Sequence, residues 1–571
     1  MDPISEEYDF EGYVIYRSTH PQFLDQQTIT DANGSKFLFE PLKMFNGAPA
    51  RFDLDNDYFG MSSVVYPGRG AYYTLGDNTG LVHSYVDSNN VLNGQTYYYA
   101  VVSYDHGSEE LQIPPSECSK TITVNPTTNE LIIDVNTIRI VPSAPAIGLV
   151  RGTIKDNWIE PIAGVTTGKI ILDIVDYYSL ENENQFEITF RESPTRYSIK
   201  DLMPIEDQVV ISIEQYRQLS YQNIDLESVQ VYDASGNIFV IDQDYEILDE
   251  MGKIKGIAGG SITDGNTYTV SYLYYPIVNS KAVSQEETNP IVDGIKVTLQ
   301  DVELALNVEN TKWSTSSSCS WSPEVIPFNG ADQFMYPGAY EVRFFDEIVD
   351  TSSTALHPSF GISRMNFEVW DVTPGRIPMQ EEVTIIEEGN NPDSLWSPGD
   401  RAIIMDGEPL GGKWEFTFFL PDSGDTISAG AGDVFYIDTH RPFAESDTLL
   451  FTTVASQYDK TVASGKLDSI YVVPNPYVVT NVLEQLDLQN PMDRGPRKIY
   501  FTNLPKECTI SIYTVSGDLV ETLEHNSDIE NSQEHWDLTT KDNFPLAYGV
   551  YLYHVDAPGI GEKLGRFAVI K

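Results

Sequence analysis

Residues 93–105 read NGQTYYYAVVSYD, and residues 12–18 read GYVIYRS. In the first stretch an Asn-Gly turn signal precedes Tyr97, Tyr99, Val101 and Ser103, where apolar or aromatic residues alternate with small or polar ones. That is the period of a half-buried β-strand. The rest of the chain agrees with it. Tyr 34, Gly 40 and Pro 33, with hardly any long stretch of helical period, predict an all-β protein of tandem sandwiches with very little helix. At 571 residues the chain exceeds one hydrophobic core and should divide into roughly three to five domains, and 41% hydrophobic residues suffice to fill them.

Together the two stretches resemble central strands of a fibronectin type III domain. In that family G-Y-x-V/I-Y-R forms the third strand and the aromatic Y-x-Y-x-V run ending in Tyr-Asp the sixth; residues 114–124, PPSECSKTITV, match the last. The resemblance implies two further strands at the start, but only eleven residues precede Gly12. An incomplete sandwich exposes an apolar face and strand edges with unpaired N–H and C=O groups, a template for another chain. Two readings stay open. Either the lost strands belong to the same gene upstream of Met1, or a neighbouring subunit supplies them and the protein is a head-to-tail polymer.

Thirty-five basic against 85 acidic residues give a net charge of −50, which repels nucleic acid and anionic membranes and favours cationic partners. The acids are spread along the chain, as on a solvated surface. Cys118, Cys319 and Cys508 are too few and too distant for a disulfide framework or a thiolate metal site. No run approaches 18 apolar residues, so no membrane insertion is expected. The stretch MDPISEEYDF lacks the pattern of a signal peptide; if the protein is exported, the signal lies upstream.

In chain order, residues 1–126 form the fibronectin-like domain, with residues 19–92 as a long loop-rich insertion. Within it Asp53, Asp55 and Asp57 are spaced to aim three carboxylates at one Ca²⁺, although Tyr58 and Val64 stand where an EF-hand needs Gly and Glu. Calcium and an Asx-rich turn are the alternatives. Residues 127–207 read as a connector plus strands of a central sandwich. Residues 208–285 resemble a small β module common in bacterial surface and secreted proteins, with Asp244-Tyr245 and Gly252 at its turns, inserted into that sandwich. Residues 286–470 read as a larger sandwich of jelly-roll kind.

Residues 471–571 carry a further set of motifs: Pro474-Asn475-Pro476, the I-x-I-Y-x-x-x-G-x-x-V run from Ile510 to Val520, Trp536 before Asp537-Leu538, and G-V-Y-x-Y from Gly549 to Tyr553. In this order they resemble the C-terminal Ig-like domain of the flagellar hook-capping type, which is similar to type IX secretion sorting domains of Bacteroidetes. The end, Phe567-Ala568-Val569-Ile570-Lys571, departs from the commoner K-x-V-K and K-x-I-I-K signals.

The eight histidines form no H-E-x-x-H or H-x-H, and no G-x-S-x-G elbow, P-loop or G-x-G-x-x-G occurs. A non-enzymatic protein is therefore expected. Trp313, Trp321, Trp370 and Trp396 are candidates for stacking on a cell-surface glycan, with burial in a core as the alternative. The leading expectation is a secreted structural or adhesive protein that assembles with copies of itself by strand complementation, with calcium at the joint. The alternative is a non-catalytic, carbohydrate-binding and sorting region of a larger secreted enzyme.

Overall fold

A computed structural model describes residues 8–82, 85–125, 131–191, 195–281, 283, 289, 291–328, 335–388, 393–407, 411–421, 425–478 and 497–570. Antiparallel sheets dominate it, in agreement with the all-β expectation. One α-helix occurs among the described residues, Lys460–Lys466, capped by the Asp459 carboxylate, which accepts the N–H groups of Thr461 and Val462. Among the described residues no helix is long and apolar enough to cross a membrane. The chain divides into two units, Met1–Arg151 with Ser456–Lys571, and Gly152–Ala455.

The first unit begins with β1 (Phe10–Ser18), the short pair β2 (Ile29–Thr30) and β3 (Lys36–Leu38), β4 (Arg51–Asp53), the hairpin β5 (Gly60–Val65) and β6 (Tyr72–Gly76), and β7 (Tyr97–Asp105). They are followed by β8 (Ile122–Val124), β9 (Leu131–Ile133) and β10 (Thr137–Ile140). One sheet runs in the order β10-β7-β1-β4. Val14 lies opposite Val102 and Tyr16 opposite Ala100, so the buried side chains of β1 and β7 share one face. Gly12 is required where β1 meets β4, because a side chain there would collide with the Phe52 carbonyl.

The place beside β7 differs from the expectation. The backbone of residues 114–124 pairs with the sheet only at the end of β7, where Asp105 donates to the Ser116 carbonyl, Tyr104 bridges Glu117 and Cys118 donates to the Ser103 carbonyl. Pro114 and Pro115 have no N–H to offer a ladder, and the chain then peels off into the β8–β9 hairpin. The edge position falls to β10, with Thr137 opposite Ala100 and Ile140 opposite Tyr97.

In the second unit the strands Arg196–Val210 and Thr267–Ser280 are paired along most of their length. Their outer ends, with Gln230–Tyr232, enclose a small core around Val231, Tyr245, Ile254 and Tyr272. Their inner ends join Gln185–Arg191 and Thr448–Val454 to cover the pair Lys169–Ile174 and Ile295–Gln300. A second sandwich in this unit places Ala339–Phe344, Phe367–Asp371 and Val434–His440 in one sheet and Arg401–Met405 with Gly412–Phe419 in the other. Trp414, Phe344, Phe367, Phe416, Phe418 and Phe435 fill the space between them.

The C-terminal part of the first unit is also a two-sheet sandwich. Tyr471–Val473, Ile499–Thr502 and Glu534–Trp536 face a five-stranded sheet in the order Tyr477–Val478, Gly561–Ile570, Gly549–Ala557, Glu507–Thr514, Leu519–Asn526. The Pro474 and Pro476 peptide bonds are cis, at the point where the chain crosses between the sheets. Gly561–Ile570 is paired on both sides, parallel to Tyr477–Val478 and antiparallel to Gly549–Ala557.

Candidate functional site: the N-terminal sheet and its open edge

The face of the β1–β7 sheet that the resemblance left bare is covered by this chain's own residues. Phe23, Tyr73 and Leu75, with the partly buried Phe39 and Tyr66, come from the segment between β1 and β7; Ile122 and Leu131 come from the β8–β9 hairpin. The expectation of an uncovered apolar face is corrected accordingly.

Loops cannot fill such a space with hydrocarbon alone, and a polar network finishes it. Glu117 Oε1 accepts the hydroxyls of Tyr16 at 2.6 Å and Tyr73 at 2.8 Å, and Glu117 Oε2 accepts the Lys120 ammonium at 2.9 Å. Burial by itself would raise the Glu117 carboxyl, but Lys120 and the tyrosine hydroxyls outweigh it and hold the group below its ordinary range. The buried Arg51 guanidinium lies 4.8 Å from the Tyr73 ring centroid and 5.0 Å from that of Tyr104, and it donates to the Thr74 carbonyl.

The three aspartates nominated for calcium separate in the structure. Asp53 is fully buried, and its carboxylate accepts the N–H of Asn78 at 2.6 Å, the N–H of Thr79 at 2.9 Å and the Thr79 hydroxyl at 2.6 Å. It ties the end of β4 to the turn after β6. Asp55 and Asp57 are exposed. Among the described residues no group of three His, Cys, Asp or Glu side chains is gathered as metal ligands. Asp53 itself serves as a turn device here.

The tryptophans are mostly core. Trp321 and Trp396 are buried in the second unit's aromatic cluster and Trp313 packs against it, its indole N–H bonded to the Trp321 carbonyl. Trp370 is half-buried with the Arg343 guanidinium 4.9 Å over its ring. Cys118, Cys319 and Cys508 are all free thiols.

The open feature of the sheet is β10. Val101 donates to the Asn136 carbonyl and Asn136 lies in register opposite it. By the alternation of an antiparallel ladder, Ile138 and Ile140 turn their backbone groups to β7 while Arg139 turns its N–H and C=O outward. No further strand pairs with β10 among the described residues. Ile138 is 55% exposed and Ile140 45%, and the preceding Ile132, Ile133 and Val135 are exposed as well. Two other edges are guarded. Leu519–Asn526 carries Glu521 and Glu524, and Ser322–Pro327 carries two prolines. The sequence reading saw short strands here and missed their exposure, because hydrophobicity alone does not show which side of a strand lacks a partner.

No protein-family model matches the chain, and no curated protein does. Three solved structures show a distant likeness. PorZ, an essential bacterial surface component of the type IX secretion system of Porphyromonas gingivalis, is 11% identical over 91% of this chain and 68% of its own, with a TM-score of 0.17. Dimeric latent PorU from Porphyromonas gingivalis is 14% identical over 71% of this chain and 34% of its own, with a TM-score of 0.13. The BSP domain of a biofilm-associated protein is 11% identical over 76% and 83%, with a TM-score of 0.11. At these scores the likeness carries no argument.

Proposed function

We propose that this chain is an extracellular, surface-associated structural or adhesive protein that associates with copies of itself by strand addition at β10. Its role is non-catalytic. The observation that carries the reading is the exposed, unpaired edge of β10, where the segment from Thr137 to Ile140 holds one charge, Arg139, and no carboxylate in a protein of net charge −50. Two copies meeting there bring no opposed acids together, and main-chain hydrogen bonds supply the affinity. Because the chain covers its own apolar face, association proceeds by extending the sheet and not by filling a groove. The extracellular setting rests on the C-terminal sandwich, whose motif order resembles type IX sorting domains and whose last strand, Gly561–Ile570, is held between two neighbours.

Arg139→Pro tests the edge. It removes the outward N–H and leaves the ladder to β7 untouched. Sedimentation and negative-stain imaging of the full chain should show concentration-dependent oligomers or filaments that Arg139→Pro abolishes, as does Ile138→Lys with Ile140→Lys. A wild-type protein that stays monomeric at high concentration would overturn self-association. The extracellular reading has its own check: expressed with a signal peptide in a type IX-secreting bacterium, the full chain should become accessible to added protease, and a chain ending at Leu467 should not.

A further inference from the structure

We propose that a cleft of about 590 Å³ beside the 57–63 and 106–111 segments of the N-terminal domain receives the cationic side chain, arginine or lysine, of an extended peptide. This stands apart from the β10 edge.

Charge sets the ligand class. Asp57, Glu109 and Glu110 contribute carboxylates to the lining, and no lysine or arginine does, so anions are repelled and a cation is favoured. Glu11, fully buried beneath this segment, lies outside the lining and serves it through Asn56.

The aromatic platform sets the geometry. Tyr58 stacks on His106 with ring centroids 3.8 Å apart and an interplanar angle of 1°, so one face of the phenol is sealed, while the residue remains 48% exposed. A guanidinium or ammonium over the outer face gains a cation–π contact.

The platform is held before any ligand arrives. Asn56 Oδ1 accepts the Tyr58 N–H at 2.7 Å, Asn56 Nδ2 donates to Glu11 Oε2 at 3.1 Å, and the Asn56 carbonyl accepts Asn78 Nδ2 at 2.9 Å. On the other side the His106 N–H donates to the Asp9 carbonyl, and His106 Nδ1 lies 2.6 Å from the Gly107 carbonyl. Little ordering is left to pay for on binding. Met61 and Leu111 are exposed and Leu75 is buried along the same cleft, an apolar path suited to the methylene stem of a long basic side chain.

Fluorescence anisotropy with a fluorescein-labelled Ala-Ala-Arg-Ala-Ala peptide and the full chain, at physiological salt, tests the site. The wild type should bind the peptide and ignore its glutamine counterpart. Tyr58→Ala, and separately Glu109→Gln with Glu110→Gln, should each weaken binding about tenfold. Asp350→Asn, an acid of the other unit, should leave it unchanged. Tyr58 is an exposed loop residue, and an unchanged melting temperature shows that its variant is folded; the glutamine pair tests the same site without touching the ring. Equal binding by all four proteins would overturn the proposal in favour of general attraction to an acidic surface. Binding of a neutral cello-oligosaccharide that Tyr58→Ala removes, without peptide binding, would overturn it in favour of a sugar site.

Discussion

The N-terminal domain and the C-terminal sandwich lie in one unit, yet their interiors are built on opposite plans. In the C-terminal sandwich two sheets face each other, and the space between holds Ile499, Phe501, Ile510, Ile512, Trp536, Val555 and Phe567, each almost wholly removed from water. Strands satisfy their own backbone groups, so a sheet can present pure hydrocarbon to its partner. In the N-terminal domain loops and short hairpins take the place of a second sheet, and the space beneath them holds Glu117, Lys120 and Tyr73 of the cover together with Arg51, Tyr16 and Tyr104 of the sheet. A face covered by irregular chain is closed with charge as well as with carbon, and it holds only while each of those charges is paired.

The largest effect should separate the two plans directly. Phe567→Ala empties a position between two well-packed sheets, which cannot collapse into the gap, and should cost about 3–5 kcal/mol. Leu75→Ala, on the loop-built side, should cost about 2–3 kcal/mol, because a covering hairpin relaxes more easily than a sheet. Hydrogen exchange read separately over each region measures both. Equal losses would mean that the loop cover is as rigid as a sheet.

Glu117→Ala comes next, at roughly 2–4 kcal/mol, since it strands the Lys120 ammonium and two buried tyrosine hydroxyls. The same residue makes the comparison depend on pH. Its carboxyl titrates lower when folded than the ordinary value of 4.5, so the folded state favours the ionised form. The stabilisation is complete above about pH 4.5 and is lost as the pH falls through the lower, folded value. Acid titration followed by exchange in both regions should open the N-terminal domain first, and Glu117→Gln should reduce that difference. Simultaneous opening in the wild type would show that the network has no special part.

How much of this could be read beforehand follows from the same contrast. β1 and β7 were legible because aromatic residues alternate along them, and the C-terminal sandwich was legible from motifs that sit on its strands. The cover of the N-terminal sheet was not. Phe23, Phe39, Tyr66 and Tyr73 are scattered over loops and short strands, with no sustained period to reveal their common target. The network is equally silent in sequence, because Tyr16 and Glu117 are 101 positions apart. The spacing of Asp53, Asp55 and Asp57 favours a turn over a metal loop, because Tyr58 and Val64 stand where an EF-hand needs Gly and Glu. What it does not reveal is the donor pair at Asn78 and Thr79 that Asp53 binds, brought in by the β5–β6 hairpin. Tyr58 and His106 likewise become partners only when the ends of β4 and β7 come together.

The smallest effect uses the thiols as reporters of the two interiors. Cys508 lies in the C-terminal core, 4% exposed, and burial pushes its thiol up to about 12. Alkylation needs the thiolate and access to it, so both conditions protect this residue in the native state. Cys118 lies on the N-terminal side, exposed, accepting the Ser103 N–H at 3.3 Å. Iodoacetamide at pH 8 should modify Cys118 within minutes and leave Cys508 intact until the C-terminal core opens. Cys118→Ala should change stability by no more than about 0.5 kcal/mol, and Cys508→Ala should cost about 1 kcal/mol, the value of a small buried group. As the pH is lowered and sampled aliquots are labelled at pH 8, unfolding of the N-terminal side should leave Cys508 protected while the Glu117 network is already lost. Cys508 reacting at the same acid threshold would show that the two interiors, despite their different fillings, open as one.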